Sequence, residues 1–283
     1  MLKIAFSPVY RYQLPKGHRF PMEKYDLLPQ QLLHEGTIAE ENLFEPGFLT
    51  EQEILQTHTS AYWSKLKQLN LSRKEERAIG FPVRKELIER GRYIAHGTVQ
   101  CAYHAIDHGI SMNIAGGTHH AYSDRGEGFC VFNDIAIAAN HLLTQEMAKQ
   151  VMIIDLDVHQ GNGTARIFQD RPEVFTLSVH GEHNYPLRKE VSDLDIGIPD
   201  TTEDQSYLQV IRNQVIPKID EVQPDFVFYL SGVDVLESDK LGRLSLSVDG
   251  CKKRDELILN ALQDRQIPCA ISMGGGYSEK IST

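Results

Sequence analysis

No apolar stretch in this sequence approaches the ~20 residues that a membrane-spanning helix needs. The opening residues, MLKIAFSPVY, lack the long apolar region and small-residue cleavage site of a signal peptide and read as a strand. Cysteine is sparse: Cys101, Cys130, Cys251 and Cys269 form no C-x-x-C pair, so neither a zinc ribbon nor a disulfide framework is suggested. A reduced, intracellular protein of the cytoplasm is the simplest reading. Positive charge is also short, with 29 Lys and Arg against 39 Asp and Glu and a net charge of −10. That balance argues against direct nucleic-acid binding and suits a cationic partner such as a lysine-rich segment. Repeats, low-complexity segments and linkers are absent too. The 283 residues therefore read as one domain with a substantial core.

What is present is alternation. Short apolar runs at 3–6, 110–115, 151–156, 174–179, 226–230 and 269–273 read as strands. Helical stretches fall at 25–35, 84–107, 133–146, 164–170 and 248–264. A further helix opens at the Thr50-Glu51-Gln52-Glu53 capping box and is expected to run to Leu69. Another spans 202–221 and is disturbed at Pro217. Residues 11–22 and 183–199 show no period and read as loops. Trp63 is expected in the core, and His58 as a core or capping histidine. Strands alternating with helices predict an α/β fold: a single domain with a mostly parallel open sheet flanked by helices. Its active site would lie at the C-terminal ends of the strands.

Four strands end in residues that a core does not need. The 110–115 strand is followed by Gly116-Gly117-Thr118-His119-His120. The 151–156 strand carries Asp155, Asp157 and His159, which share one side because strand side chains alternate. The 226–230 strand runs into Gly232-Val233-Asp234, and the last into Gly274-Gly275-Gly276-Tyr277. In an open parallel sheet all four converge on one rim. Buried carboxylates are expensive unless paired, and a divalent cation would pair them. Asp157, His159 and Asp234 can supply three ligands and leave open positions, the arrangement of a catalytic zinc. Fe²⁺ or Mn²⁺ also suits two carboxylates and one imidazole. The metal would acidify a bound water and polarise a carbonyl. His119 or His120 is suitably typed as general base, and Tyr277 as a donor to the oxyanion, swung by the glycines before it. The sum is metal-assisted amide or ester hydrolysis. Each piece alone has a bland reading, as an ion pair, an incidental histidine pair, a helix cap or a packed tyrosine. Their conjunction carries the chemistry.

The motifs GGTHHAYSDRGEGFCVFND (116–134), IIDLDVHQGNGT (153–164), GVDVLESDKLG (232–242) and GGGY (274–277) closely resemble the zinc-dependent histone deacetylase family. They fall in that family's order and span nearly the whole chain. DRGEGFC, DVLESDKLGRLSLS and KRDEL look most like its class IV branch. The resemblance implies an arginase/deacetylase-like fold, one catalytic domain over 1–283, and Zn²⁺ held by Asp157, His159 and Asp234. It makes His120 the base, His119 its electrostatic partner oriented by Asp155, and Tyr277 the group that polarises the acyl carbonyl. Asn162 would stand beside His120 where class I members carry an aspartate. A K⁺ or Na⁺ site is implied at the carbonyls of Asp155, Asp157 and His159 with the Ser178 hydroxyl. Gly128 and Phe129 should line the tunnel for the acyl-lysine stem, with Tyr185 on the opposite wall. The implied substrate is an acyl-lysine protein or peptide, and class IV likeness favours a long acyl chain.

There are departures. Class I members place an aspartate near the rim where this chain has Gly80-Phe81-Pro82. Relatives continue in a helix beyond Tyr277, where only residues 278–283 follow, which leaves the anchoring of Tyr277 open. Cys130 reads as packed. Other functions fit parts of the pattern: an amidohydrolase of small acylated amines such as acetylpolyamines, or an acyl-lysine-binding protein with weak catalysis. A binuclear manganese hydrolase of the arginase kind loses a bridging ligand, because Gly161 stands where its second aspartate is needed.

Overall fold

The computed structural model describes residues 1–278 and builds them around one eight-stranded sheet, every pair parallel, in the order β2-β1-β3-β8-β7-β4-β5-β6. The strands are β1 (Lys3–Ala5), β2 (Leu43–Phe44), β3 (Ile110–Asn113), β4 (Val151–Asp155), β5 (Val174–Gly181), β6 (Leu194–Ile198), β7 (Phe226–Gly232) and β8 (Cys269–Gly274). The helices are α1 (Lys24–His34), α2 (Glu51–Leu55), α3 (Ser60–Lys67), α4 (Arg73–Ile79), α5 (Lys85–His108), α6 (Asp134–Thr144), α7 (Asn162–Phe168), α8 (Asp204–Val210), α9 (Ile216–Val222) and α10 (Val248–Asp264). The segment after Tyr277, where a further helix was in question, lies outside the described residues beyond Ser278.

The central strands are apolar throughout because both faces are covered. In β4, Val151 and Ile153 join a core that includes Ile94 and Val99 of α5 and Ile135 and Leu142 of α6. The alternate residues Met152 and Ile154 join a second core with Tyr207, Ile211, Ile258 and Leu262. Among the described residues no helix is long and apolar enough to cross a membrane.

The structure corrects several expectations. The helix expected from Thr50 to Leu69 is two helices, α2 and α3, broken after Leu55. Thr59 caps the second, and the break turns His58 inward, where Nδ1–H donates to the Tyr122 carbonyl at 3.0 Å and Nε2 accepts from Asn133 N–H at 3.1 Å. The 183–199 segment is not all loop: β6 is an edge strand whose alternation is too short to stand out. Helix α4 also escaped notice, being seven residues with only Ile79 buried. The disturbance expected at Pro217 falls just before it, as a wider π turn over Ile211–Val215. Pro217 itself sits at the start of α9, where its missing N–H is harmless.

At Gly97 in α5 a Cβ would press on Tyr10 Oη and stand 2.9 Å from Asn113 Nδ2, both groups buried. An ordinary mid-helix Gly→Ala gains about 1 kcal/mol, and overpacking costs about 1–3 kcal/mol. Gly97→Ala should therefore destabilise by up to about 2 kcal/mol in urea unfolding; a raised midpoint would contradict the packing. Burial pushes the His58 pKa down from 6.5 to about 4. Protonation then favours the unfolded chain, so this contribution is complete above pH ~6.5 and is lost as pH falls toward 4. Between pH 7 and 5 it should cost about 2 kcal/mol, and the pH slope should flatten in His58→Asn.

Candidate active site

The C-terminal ends of β3, β4, β7 and β8 deliver their side chains to one rim. Asp155, Asp157, His159 and Asp234 are all buried there. Backbone donors hold the carboxylates: Asp157 N–H to Asp155 Oδ1 (3.1 Å), His159 N–H to Asp157 Oδ1 (2.9 Å) and Val158 N–H to Asp234 Oδ1 (3.0 Å). His159 Nδ1 lies 3.0 Å from Asp157 Oδ1 and 3.1 Å from Asp234 Oδ2. One ligand atom from each of the three lies within 4.8 Å of the others.

The electrostatics of this trio call for a cation. Burial and the neighbouring charge of Asp234 raise the Asp157 pKa to about 6. Against burial, the hydrogen bonds that His159 gives to Asp157 and Asp234 push its pKa up to about 10. Two desolvated carboxylates are thus stable only with a positive charge between them. One imidazole nitrogen and two carboxylate oxygens are a donor set that fits a divalent ion.

The two adjacent histidines, with ring centroids 4.1 Å apart, have pKa values driven in opposite directions. His119 Nδ1 lies 2.7 Å from Asp155 Oδ2, and against burial Asp155 and Asp157 raise its pKa to about 9. His120 Nδ1 lies 2.6 Å from Asn162 Oδ1. Burial, then the charges of His119 and His159, hold His120 well below the ordinary imidazole range. The loop bearing both is tied down by Asp134, which accepts from Thr118 N–H (2.8 Å), the Thr118 hydroxyl (2.6 Å) and the Thr98 hydroxyl (2.6 Å).

Tyr277 is partly exposed, and its ring faces that of His159 at 6.4 Å. Its N–H donates to Asp239 Oδ2 at 2.6 Å, while Lys24 Nζ donates to the Gly275 carbonyl at 2.6 Å. Its hydroxyl keeps its proton, because burial and then Asp157 and Asp234 raise its pKa well above 10. The glycines before it also give clearance. Gly275 has φ +60°, and a Cβ there would strike the Asp234 carboxylate.

Above the trio a cleft is lined by Phe20, Gly128, Phe129, His120 and Tyr277 among others. Gly128 (φ +55°) and Phe129 (φ +69°) hold left-handed backbone, with N–H groups donating to the Ala78 and Ile79 carbonyls at the end of α4. The Phe129 ring packs on Phe81 (5.0 Å), Phe20 (5.4 Å) and His18 (5.9 Å), with the Arg19 guanidinium 5.0 Å away. Residues 18–20 and Lys24 thus belong to the site. The aperiodic 11–22 segment hid residues 18–20, whose only signal was an aromatic beside basic residues. Tyr185 sits 5.0 Å from the His120 ring and its hydroxyl donates to Glu127. Ser178 pairs in register with Asp155 across β4 and β5, its Oγ 3.0 Å from His180 Nδ1. Cys130 is buried and its thiol pKa is raised, so it is packed, as expected. Arg254, fully buried, donates to the carbonyls of Leu156 (3.2 Å) and Gly232 (2.6 Å), which precede two of the acids.

Comparison with known proteins agrees with this arrangement. The sequence profile described as Histone deacetylase domain matches residues 18–283. An uncharacterized protein of Picosynechococcus sp. is 40% identical over 98% of this chain and 93% of its own length. Histone deacetylase 2 of Arabidopsis thaliana is 30% identical, over 93% of this chain and 70% of its own. Acetoin utilization protein AcuC of Staphylococcus aureus is 29% identical, over 95% and 75%. Among solved structures, an HDAC homolog from Aquifex aeolicus superposes with a TM-score of 0.84 at 24% identity, covering 97% of this chain and 79% of that one, a likeness of fold. The parallel sheet, the buried Asp-His-Asp trio at its rim and these matches lead to one conclusion: the chain belongs to the histone deacetylase family.

Proposed function

We propose that residues 1–283 are a catalytic domain that hydrolyses the side-chain amide of N-acyl-lysine with Zn²⁺ at Asp157, His159 and Asp234, in the manner of class IV members. The observation that carries this reading is the buried Asp157-His159-Asp234 trio, with one ligand atom of each within 4.8 Å of the others, beside the adjacent rings of His119 and His120. When bound, the ion supplies Lewis acidity, which acidifies water and polarises an acyl carbonyl. His120 is neutral, with Nδ1–H given to Asn162, so its Nε2 lone pair takes the proton of the attacking water and returns it to the leaving lysine amine. His119, charged and oriented by Asp155, stabilises the negative charge that develops on the carbonyl oxygen. The Tyr277 hydroxyl donates a hydrogen bond to that same oxygen. Phe129, Gly128 and Phe20 exclude water from the apolar lysine stem, and Tyr185 borders the entrance. The carbonyls of Asp155, Asp157 and His159 with the Ser178 hydroxyl would take K⁺ or Na⁺. The motifs DRGEGFC and DVLESDKLGRLSLS support the class IV comparison and with it a long acyl chain.

Turnover should be measured on one lysine peptide carrying acetyl and then myristoyl, and on an acetylated polyamine. The peptides should be cleaved, and Tyr277→Phe should lose about 10²-fold in kcat, as removal of an oxyanion donor does. Cleavage of the polyamine alone would make the substrate a small acylated amine. Binding without turnover of any of them would leave an acyl-lysine-binding protein. A separate measurement addresses the ion. Zn²⁺ at a hundred times its Kd should add about 2.7 kcal/mol of stability, seen as a Tm rise that a chelator reverses. Asp234→Asn should abolish that rise; an unchanged response in the variant would remove Asp234 from the ligand set.

A further inference from the structure

His120 is one end of a hydrogen-bonded chain that leaves the site. Its Nδ1 meets Asn162 Oδ1 at 2.6 Å, Asn162 Nδ2 donates to Tyr122 Oη at 3.0 Å, and Tyr122 Oη donates to Glu190 Oε1 at 3.2 Å. We propose that Tyr122 and Glu190 are positioning residues that fix the tautomer of His120 through Asn162. The proposal rests on His120 being the base.

The argument is one of donors and acceptors. An amide presents an acceptor on one side and a donor on the other, so Asn162 can face His120 either way round. With Oδ1 toward His120, Nδ1 must carry the proton and Nε2 keeps its lone pair for the substrate. With Nδ2 toward His120, Nδ1 must be the acceptor and Nε2 holds the proton, where it cannot act as a base. A carboxylate in the place of Asn162 would need no such control, because both its oxygens accept. Glu190 supplies the missing direction. Its carboxylate only accepts, so the single Tyr122 hydroxyl proton must point at it. The Tyr122 oxygen is then left to accept from Asn162 Nδ2, which turns Oδ1 to His120.

Each link is held in place. The Tyr122 ring is buried under the Arg125 guanidinium at 3.5 Å, and Tyr122 N–H donates to the Arg125 carbonyl at 2.9 Å. Glu190 is fastened by the buried Gln160, whose Oε1 accepts Glu190 N–H (2.9 Å) and whose Nε2 donates to the Glu190 carbonyl (2.8 Å). The acid is thereby tied to the residue next to His159.

The test reads the ring directly. Nitrogen-15 NMR of His120 in the zinc-loaded protein should show the Nδ1–H tautomer. Tyr122→Phe, which frees the amide to rotate, and Glu190→Gln, which can donate as well as accept, should each move the population toward Nε2–H. Either change should lower kcat on the acyl-lysine peptide about 10-fold with KM unchanged, part of the ~10²–10⁴ that a general base contributes. In an Asn162→Asp background, Tyr122→Phe should shift the tautomer no further. Retention of Nδ1–H in both single variants overturns the proposal, as does a Glu190→Gln shift that does not depend on Tyr122. Should Tyr122→Phe not fold, Glu190→Gln decides alone, since its side chain is half-buried and caps no helix. A protein that shows the expected tautomers yet cleaves no acyl-lysine would refute the deacylase reading and leave the relay standing.

Discussion

Two buried carboxylates cannot face each other without a positive charge, and the structure around Asp157 and Asp234 is built to meet that demand. The all-parallel sheet brings the ends of β4 and β7 side by side, so the acids converge without any long excursion of chain. Val158 N–H satisfies Asp234 Oδ1 and leaves Oδ2 to face His159 Nδ1, while Asp157 Oδ1 meets both the backbone N–H and the Nδ1 of His159. Behind them the buried Arg254 pins the carbonyls of Leu156 and Gly232, which fixes how far apart the two acid-bearing turns can drift. Removing either acid would relieve the repulsion between the two but leave His159 facing a single carboxylate, with one oxygen donor fewer for a cation.

The same logic, one layer out, separates two identical side chains. His119 and His120 are neighbours in sequence and in space, yet a carboxylate faces one and an amide the other. Asp155 pays for charge on His119. That charge, together with His159, then makes a second charge on His120 unfavourable. Positive charge is thereby favoured on His119 and disfavoured on His120, a division that a bare His-His pair does not contain.

Much of this was legible in the sequence because strands covered on both faces read as plain apolar runs, and unusual residues at their ends stand out against them. Hence 151–156, 226–230 and 269–273 are β4, β7 and β8 to within about two residues at each end. Elements buried on one side only were harder. The edge strand β6 and the short α4 carry too few apolar residues to show a period, and the split between α2 and α3 depends on a tertiary partner for His58. Partners distant in sequence were not legible at all. Asp239 as the anchor of Tyr277, and Asp134 as the hub beneath the His119 loop, are ordinary acids until the fold brings their donors to them.

The anchoring of Tyr277 shows why such partners matter. Its N–H is held by Asp239, the Gly275 carbonyl two residues before it by Lys24, and its ring by Phe20 at 5.7 Å. Lys24 and Gly275 are 251 residues apart in the chain, so one wall of the cleft is built from segments remote in sequence. Closing so long a loop costs conformational entropy that local contacts cannot recover. The aromatic cluster of Phe20, Phe81, Phe129 and Tyr277 offsets it by burying apolar surface at that junction. The cleft is therefore both the place where substrate would enter and the seam that joins the first helix to the last strand. A bulky residue at Phe20 or Lys24 would disturb the seam and the Tyr277 hydroxyl together.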